Sequence, residues 1–542
     1  MLVILLPPAR NRHPAYEGEA EGRQGNSRNR GISRTPPPDD ADPHRPGAGA
    51  GTSQGRLNMR IGIIGAGAAA VGLLDALAGM DSTPGSITVF DGSSSVWRGR
   101  PYQPDLEAVR VNAPPALMSV RAGDRSHYER WLDGRGDTAC YLDEGLGQPL
   151  VPRGVYGEYL EQSARTAITR LRRSGWQVSV VNARVTGFAV AGGCALYTDG
   201  STHAVDRAVL CVGSGQPHDH YGLTGAPGYT NEPYPLARTL TGVRPDAHVA
   251  VIGSGLTAVD IAAALTTNGH TGPISLLSRS GVLPFVQQRP IPLEPKHLTP
   301  ANALPLAEHG TVTITQLVEL MRAELADLGQ DFDSLAAEIL ETDTEQPLSR
   351  LRRQLAAIDS PHQGRRLLAM AIRTIGPILW PVLTDEDRTL LRTAHFRSIS
   401  SLSSPMVPHN ARIMLRLLDS GQLRLRSRVT KIEARPGGGF TVFDDAEWTA
   451  DTVFNAVNPP AYTTPLETEP LVSALLACGA AELAPTGGLR AEPGTRRLLV
   501  ADRPDPTWHI LGNLATDSMF IATNPPGLAA EAASLAQHLA DG

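Results

Sequence analysis

The chain has 542 residues, and its 49 Lys and Arg residues nearly balance its 55 Asp and Glu residues, giving a formal net charge of -6. This length indicates several domains, and the charge lacks the strong basic excess that nucleic-acid binding requires. No apolar run reaches the roughly 18 residues of a membrane-spanning helix. The early run Leu2–Leu6 is too short for a secretory signal.

The cysteines are scattered and form no Cys-x-x-Cys pair, so neither a zinc knuckle nor a dithiol relay is indicated. They are Cys140, Cys194, Cys211 and Cys478. No metal site is therefore predicted. We predict a reducing, cytoplasmic location, in which each cysteine is a small buried hydrophobe.

Residues 1–58 have a composition unlike that of a folded domain. Between Pro7 and Asn58 they are rich in Pro, Gly and Arg and poor in large apolar residues. Such a stretch cannot bury enough surface to offset its ordering entropy, so we predict a disordered N-terminal extension. We expect Met59, where a strand-like apolar run starts, to be the natural beginning of the protein. A genuine disordered tail is the alternative.

The first Gly-rich motif lies between a short apolar strand and an apolar helix. Its residues Gly65, Gly67 and Ala70 fit the pattern Gly-x-Gly-x-x-Gly/Ala. In that pattern the first residue allows a tight turn, the second lets the backbone approach a pyrophosphate, and the third lets the helix pack on the strand. The next strand ends in Asp91, an acid suited to a ribose hydroxyl. We call Gly65–Ala70 the first cradle and predict that it binds a dinucleotide.

The same pattern recurs at Gly253, Gly255 and Ala258, which we call the second cradle. Here the following strand ends in Ser278 and Arg279, and no carboxylate is present to meet a ribose 2′-hydroxyl. A serine and an arginine suit a 2′-phosphate through charge-assisted hydrogen bonds. The second cradle is therefore predicted to prefer NADPH over NADH. The alternative is that Arg279 is an ordinary solvated surface charge.

A second internal repeat accompanies the cradles. The segments 206–213 and 451–458 have the same spacing, and each follows a β-rich stretch with a Gly-rich turn. We predict that each half carries the same β-meander and closing strand. Asn458 stands where Gly213 stands, and because Asn tolerates positive φ better than most residues, we expect the turn to survive.

Between about residues 298 and 395, apolar residues recur at helical spacing. The predicted helices are Thr315–Leu328, Phe332–Leu340, Leu348–Ile358 and Arg365–Ile375. We predict a helical insertion that forms a wall of the substrate site; the alternative is that its apolar faces form only a structural core. The residues that follow it include three candidates for binding a substrate carboxylate, for which a purely structural role is the alternative; they are Arg397, His409 and Asn410.

Several stretches resemble one branch of the FAD/NAD(P)-binding flavoproteins, which contains FAD-dependent urate hydroxylase and aspartate N-monooxygenase. The stretches are Gly99–Tyr102, Val111–Met118, Tyr128–Leu132, Pro152–Leu160, Gly253–Asp260 and Ser278–Gly281. The resemblance covers about residues 59–300 and is looser from about 395 onward. It gives stronger support for the identity of the cofactors than for that of the substrate.

The resemblance implies an α/β fold with two Rossmann-like dinucleotide-binding domains, β-meander crossovers and a helical insertion of about residues 298–395. FAD would occupy the first cradle and NADPH the second, with Asn112 and Gly213 as further cofactor-binding residues. The FAD domain would comprise residues 59–217 and 461–542, and the NADPH domain residues 218–460.

The resemblance also implies an FAD-dependent, NADPH-consuming monooxygenase of a small polar molecule, acting through a C4a-hydroperoxyflavin formed with O2. N-hydroxylation of an amino acid is the first option. No side-chain nucleophile is required, so no catalytic residue is assigned. Two alternatives remain open, an NAD(P)H:acceptor reductase that inserts no oxygen and a non-catalytic flavin-bound scaffold or redox sensor. No nucleic-acid or membrane partner is expected, and the oligomeric state is left open.

Overall fold

The structure, a computed structural model, describes residues 59–190, 193–279, 281–340, 345–459, 462–484, 487–515 and 525–541. The predicted N-terminal extension, residues 1–58, lies outside the described residues.

In chain order, the strands are β1 (Arg60–Ile64), β2 (Ser86–Phe90), β3 (Leu142–Asp143), β4 (Gln148–Pro149), β5 (Gln177–Val181), β6 (Gly187–Ala189), β7 (Cys194–Thr198), β8 (Ser201–Val205), β9 (Arg207–Leu210), β10 (Tyr229–Thr230), β11 (Val249–Ile252), β12 (Ile274–Leu277), β13 (Leu423–Arg426), β14 (Lys431–Ala434), β15 (Phe440–Phe443), β16 (Glu447–Ala450), β17 (Thr452–Asn455), β18 (Arg497–Val500) and β19 (Arg503–Ile510).

The α-helices are α1 (Ala68–Leu77), α2 (His127–Asp133), α3 (Arg153–Arg173), α4 (Leu236–Thr239), α5 (Leu256–Thr267), α6 (Pro300–Glu308), α7 (Ile314–Asp327), α8 (Phe332–Leu340), α9 (Pro347–Ala356), α10 (Gly364–Thr374), α11 (Gly376–Leu379), α12 (Asp385–Leu390), α13 (Phe396–Ser403), α14 (Pro408–Asp419), α15 (Glu469–Ala477) and α16 (Pro525–Asp541). A π-helical turn at Leu391–His395 joins α12 to α13.

The first sheet has the strand order β18-β19-β9-β1-β2-β5. Its strands are parallel except for the edge strand β18. Helix α1, which follows the central strand β1, packs against α3 and α16. Since strands β1 and β2 have apolar side chains on both faces, they suit a parallel sheet covered on both sides.

The second sheet repeats this plan with the order β10-β17-β11-β12-β13, and all of its strands are parallel. Helix α5 follows its central strand β11 and packs against α14. The predicted α/β fold with two Rossmann-like sheets is thus confirmed.

Each sheet has an antiparallel meander before its closing strand, β6-β7-β8 before β9 and β14-β15-β16 before β17. The acid preceding each closing strand accepts a hydrogen bond from the backbone at the start of the central strand. Asp206 Oδ2 accepts from Arg60 N at 2.8 Å, and Asp451 Oδ2 accepts from His248 N at 2.7 Å. The predicted repeat of meander and closing strand is confirmed.

The turn after the closing strand differs between the halves. Gly213 has φ +77°, but Asn458 is not among the described residues with positive φ. Positive φ occurs later, at Tyr462 (φ 63°). The expectation that Asn458 preserves the turn of Gly213 was therefore wrong, because Asn458 does not adopt the positive φ of Gly213.

The predicted helices of the insertion are confirmed as α7, α8, α9 and α10, with boundaries shifted by a few residues. The insertion has its own apolar core, in which Leu325, Leu367 and Leu379 are almost completely buried. The polar, Ser-rich stretch after it is helix α13. No helix in the described ranges is long and apolar enough to cross a membrane.

The cysteines are unpaired, but only two of the four are buried as expected. Cys194 and Cys211 are buried, whereas Cys140 and Cys478 are exposed. Burial raises the pKa of the Cys194 thiol to about 11 and also raises that of Cys211. The prediction of a buried position was therefore wrong for Cys140, which lies in the short 3-10 helix Ala139–Tyr141, and for Cys478, which directly follows α15.

Candidate functional site

The first cradle begins with a turn that only glycine fits. Gly65 has φ +96°, and its N–H donates to the carbonyl of Phe90 at 2.8 Å. A Cβ at this position would lie 2.4 Å from the carbonyl oxygen of Cys211, closer than nonbonded atoms approach. Cys211 directly follows β9, so a side chain at position 65 would push this turn away from the neighbouring strand.

Gly67 has a different role, since its backbone is extended (φ -95°, ψ -165°) and accessible to any residue. It is the N-cap of α1, and a Cβ there would meet only the Cα of Gly99, at 3.8 Å. The space in front of the helix N-terminus is therefore open among the described residues. Ala70, one turn later, is fully buried where α1 packs on the sheet. This geometry fits a pyrophosphate held by the first amides of α1.

Asp91 directly follows β2. One of its carboxylate oxygens accepts a hydrogen bond from Ala66 N at 2.7 Å, and the other accepts from Ser93 N at 2.7 Å. The side chain thus connects the turn of the first cradle to the end of the neighbouring strand. A carboxylate offers about four acceptor sites, so Asp91 retains capacity for ribose hydroxyls.

A loop that follows β2 lies across the first cradle. The N–H of Trp97 donates to the carbonyl of Ala66 at 2.8 Å. The side chain of Arg100, in the same loop, contacts the part of the chain that follows β9. It donates hydrogen bonds to Ser214 Oγ at 3.1 Å, to the carbonyl of Gly215 at 3.0 Å and to the carboxylate of Glu232 at 3.1 Å. Arg100 was not selected from the sequence, although it belongs to the quoted stretch Gly99–Tyr102.

The two remaining candidates near the first cradle occupy different surroundings. Asn112 is half-buried and follows Val111, whose N–H donates to the carbonyl of Val151 at 3.0 Å. Gly213 is exposed after β9, and no described atom lies within 4 Å of a Cβ built on it. Their roles in cofactor binding stay predictions.

The second cradle reproduces the first. Gly253 has φ +110°, and its N–H donates to the carbonyl of Leu277 at 2.6 Å. Gly255 is the N-cap of α5 in an extended conformation, and a Cβ there would meet no described atom within 4 Å. Ala258 is fully buried. Two helix N-termini with open glycine caps therefore offer two anion-binding positions.

The cradles differ at the residue after the second strand. Asp91 N donates to the carbonyl of Val181 at 3.1 Å, and Ser278 N donates to that of Arg426 at 2.9 Å, so the two residues are structurally equivalent. Ser278 Oγ accepts a hydrogen bond from Gly281 N at 2.9 Å. Arg279 is exposed and forms no hydrogen bond or ion pair with a described residue. Its role at a 2′-phosphate stays a prediction.

The three candidate substrate residues are not brought together. Arg397 Nη2 donates to Ser254 Oγ at 2.6 Å, and Ser254 belongs to the turn of the second cradle. The backbone N–H of His409 instead donates to Asp143 Oδ2 at 2.9 Å, and burial lowers the pKa of the His409 imidazole. Asn410 is buried, and its Oδ1 has no partner among the described residues. Arg397 is thus placed beside a predicted cofactor position.

A buried ion pair links the segments that carry the two cradles. Arg153 lies at the start of α3 and Asp260 lies in α5; Arg153 Nη2 is 2.5 Å from Asp260 Oδ2. The hydroxyl of Tyr234 donates to the same oxygen at 2.5 Å. Sequence reasoning missed this cluster, although Arg153 and Asp260 both lie in quoted stretches.

Residues 62–215 match the sequence profile of the FAD-NAD(P)-binding family. This match contains the first cradle, Asp91, Asn112 and Gly213. No curated protein matches the chain.

Solved structures share the fold of the chain. L-lysine 6-monooxygenase from Pseudomonas syringae aligns with 14% identity and a TM-score of 0.52, covering 89% of this chain and 99% of that one. The ornithine N-hydroxylase of Kutzneria sp. 744, solved with reduced FAD, NADP+ and L-ornithine, aligns with 14% identity and a TM-score of 0.50, covering 89% of this chain and 98% of that one. At this identity the likeness establishes the fold alone.

Proposed function

We propose that the protein is an FAD-dependent, NADPH-consuming monooxygenase of a small polar molecule. The observation that carries this proposal is the pair of cradles, which are alike at their glycines and differ in the residue that meets the ribose. Asp91 suits the adenosine ribose of FAD, whereas Ser278 and Arg279 suit the 2′-phosphate of NADPH. A protein that binds one dinucleotide needs only one such cradle, so the pair indicates two cofactors.

Bound FAD would supply the redox chemistry, accepting a hydride from NADPH and transferring an oxygen atom from O2 to the substrate. The residues of the chain would bind and orient the two cofactors. The amides at the N-terminus of α1 would hold the pyrophosphate of FAD, and those of α5 that of NADPH. Arg100 ties the loop over the first cradle to Ser214 and Glu232, and burial raises the pKa of the Glu232 carboxyl. This network fixes one wall of the space beside Gly213.

For the substrate, we propose an amino acid that is hydroxylated on an amino group. Support comes from the fold shared with the lysine and ornithine enzymes and from the stretches that resemble the urate hydroxylase and aspartate N-monooxygenase branch. The helical insertion, most of whose helices pack into a core separate from the two sheets, would determine which amino acid is accepted. Arg397, His409 and Asn410 remain candidates for substrate contact.

The domain organisation is part of the proposal. Residues 59–217 and 461–542 would form the FAD domain, because the first sheet takes β18 and β19 from the later segment. Residues 218–460 would form the NADPH domain. A cytoplasmic location is also proposed, on the basis of the free cysteines.

The test is to purify the protein with its flavin and to measure NADPH oxidation with L-lysine, L-ornithine and other amino acids, together with hydroxylamine product and hydrogen peroxide. A monooxygenase yields hydroxylated product in proportion to the NADPH consumed. Peroxide alone, or turnover that depends on an added electron acceptor, would assign a reductase. Failure of NADPH to reduce the flavin under anaerobic conditions would assign a scaffold.

A further inference from the structure

Two buried arginines contact one aromatic ring in the segment that leaves the second sheet. The Cζ atom of Arg350 lies 4.5 Å from the ring centroid of Phe285, and that of Arg365 lies 5.8 Å from it. Arg350 belongs to α9 and Arg365 to α10. Only 5% of the surface of Arg350 and 6% of that of Arg365 is exposed. Two positive charges are thus placed against one ring, away from water.

Hydrogen bonds fix these side chains around the segment 283–286. Arg350 Nη1 donates to the carbonyl of Leu283 at 3.1 Å, and Arg365 Nη1 donates to that of Val286 at 3.5 Å. The N–H of Val286 donates to Oε1 of Gln354, which is 1% exposed. Backbone groups of one short segment therefore hold all three side chains.

Each of the three side chains retains a buried donor without a hydrogen-bond partner among the described residues. These atoms are Arg350 Nε, Arg365 Nη2 and Gln354 Nε2. Buried polar groups in proteins are almost always satisfied, so an unpaired set requires a reason. All three are donors, so the missing partner is an acceptor.

The local charge balance indicates the same kind of partner. Arg365 lies 3.6 Å from Glu338, but Glu338 is shared with Arg353, which also pairs with Glu345. Arg350 forms no ion pair within the described ranges of the chain. Burial lowers the pKa of Arg350 to about 10, which leaves it charged near neutral pH. A buried, unpaired guanidinium is costly unless an anion compensates it.

We propose that Arg350, Arg365 and Gln354 form a binding site for an oxyanion, either a carboxylate or a phosphate group of a small molecule. Arg350 and Gln354 also line a narrow concave pocket with Leu283 and Glu345. A guanidinium with a neighbouring amide N–H suits the two oxygens of such a group. The site is a feature of the insertion and does not depend on the proposed oxygenase activity.

The position of this oxyanion site allows two sources for the anion. Ser254 Oγ in the second cradle donates to the carbonyl of Val282 at 2.7 Å, one residue before Leu283. A nucleotide phosphate at the second cradle is therefore one source. The carboxylate of a substrate enclosed by the insertion is the other.

The experiment uses the full chain with its flavin and follows thermal unfolding as chloride is replaced by inorganic phosphate or by acetate at constant ionic strength. We expect a saturable rise in the unfolding midpoint of about 2–4 °C. A rise with phosphate alone assigns a phosphate group, and a rise with acetate assigns a carboxylate. Either supports the site, and the absence of any rise overturns it.

Variants of the same helix provide the control. Arg350→Met should reduce the rise to the part that anion binding at the two cradles contributes. In chloride it should be at least as stable as the wild type, because it replaces an unpaired buried charge by an apolar chain of similar volume. Arg352→Met removes an exposed arginine paired with Asp419 and should keep the full rise. Arg365→Met should weaken it, providing a second test should Arg350→Met fail to fold. A rise that is undiminished in both Arg350→Met and Arg365→Met overturns the proposal.

Discussion

The guanidinium of Arg153 and the carboxylate of Asp260 form an ion pair at 2.5 Å, with side chains only 15% and 4% exposed. Arg153 begins the helix that packs on α1, and Asp260 lies in the helix that follows the second cradle. Tyr234 donates to the same carboxylate, and its ring lies 5.1 Å from the Arg153 Cζ. The pair connects the helix layers of the two sheets.

Removing either partner of this pair should destabilise the protein strongly. Arg153→Met or Asp260→Leu leaves one buried charge without its counterion, and we expect each to lower the free energy of unfolding by about 3–5 kcal/mol. The double variant should lose less free energy of unfolding than the two single variants lose in sum. Urea unfolding of all four proteins measures the coupling. The exposed pair Arg352–Asp419 is the control, expected to be worth about 0–1 kcal/mol; equal coupling for both pairs would contradict the prediction.

The two cap glycines should separate the cofactors. Both have extended backbones that accept a side chain, and little or nothing of the protein lies near the added atoms. Gly67→Val should therefore fold but lose most of its FAD, because valine occupies the position of the pyrophosphate. Gly255→Val should keep its FAD and lose NADPH-dependent reduction. Flavin absorbance per protein and anaerobic reduction measure the two effects. Full FAD content in folded Gly67→Val would refute the assignment of the first cradle.

Arg279 should determine the preference for NADPH. A charge-assisted bond to a 2′-phosphate is worth roughly 1.5–3 kcal/mol, or about ten- to a hundredfold in affinity. Arg279→Ala should raise the apparent KM for NADPH by about that factor and leave NADH nearly unchanged. Because Arg279 is exposed, the fold and flavin content should not change. Anaerobic flavin reduction with both nucleotides is the measurement, and an equal loss for both would assign Arg279 a structural role.

His509 should make stability depend on pH. It is completely buried in β19, and burial lowers the pKa of its imidazole to about 3, against about 6.5 when unfolded. Between pH 3 and pH 6.5 the unfolded chain binds a proton that the folded protein does not. The contribution of His509 to the free energy of unfolding is therefore fully present above pH 6.5 and is lost as the pH falls toward 3. From pH 6.5 to 5 we expect a loss of about 2 kcal/mol from this group.

The matched variant is His509→Gln, which cannot titrate in this range and should lose less stability than the wild type between pH 7 and 5. His309→Gln, at an exposed helix end, should behave like the wild type. Urea unfolding at both pH values checks the prediction. An identical loss in His509→Gln and wild type would contradict it.

The parts of the fold that depend on local pattern were predictable from the sequence. An apolar strand, two spaced glycines and an apolar helix dictate each cradle, because strand, turn and helix are adjacent in the chain. The meanders were found from the equal spacing of the segments that begin at Asp206 and Asp451. Helical periodicity alone located α7 to α10, since each has an apolar face that packs into a core. The faces of α7, α8 and α10 share one core, and that of α9 packs on the core of the second sheet.

Long-range partners were not predictable in this way. Nothing local indicates that Arg153 meets Asp260, 107 residues later, or that Arg397 reaches Ser254, 143 residues earlier. Both contacts depend on how separate elements pack. Asn458 was misjudged for a related reason, because a residue's tolerance of positive φ does not fix the direction in which the chain continues.

The long excursion between β12 and β13 has an evolutionary consequence. These strands are neighbours in register, from Ile274 opposite Leu423 to Leu277 opposite Arg426, so the sheet closes whatever the length of the chain between them. Helices α6, α7, α8, α10 and α11 bury apolar residues in a core of their own, whereas α9 and α14 pack on the core of the second sheet. Descendants of such a protein can therefore exchange the helices of that separate core and acquire a new substrate while α9, α14 and both nucleotide sites persist.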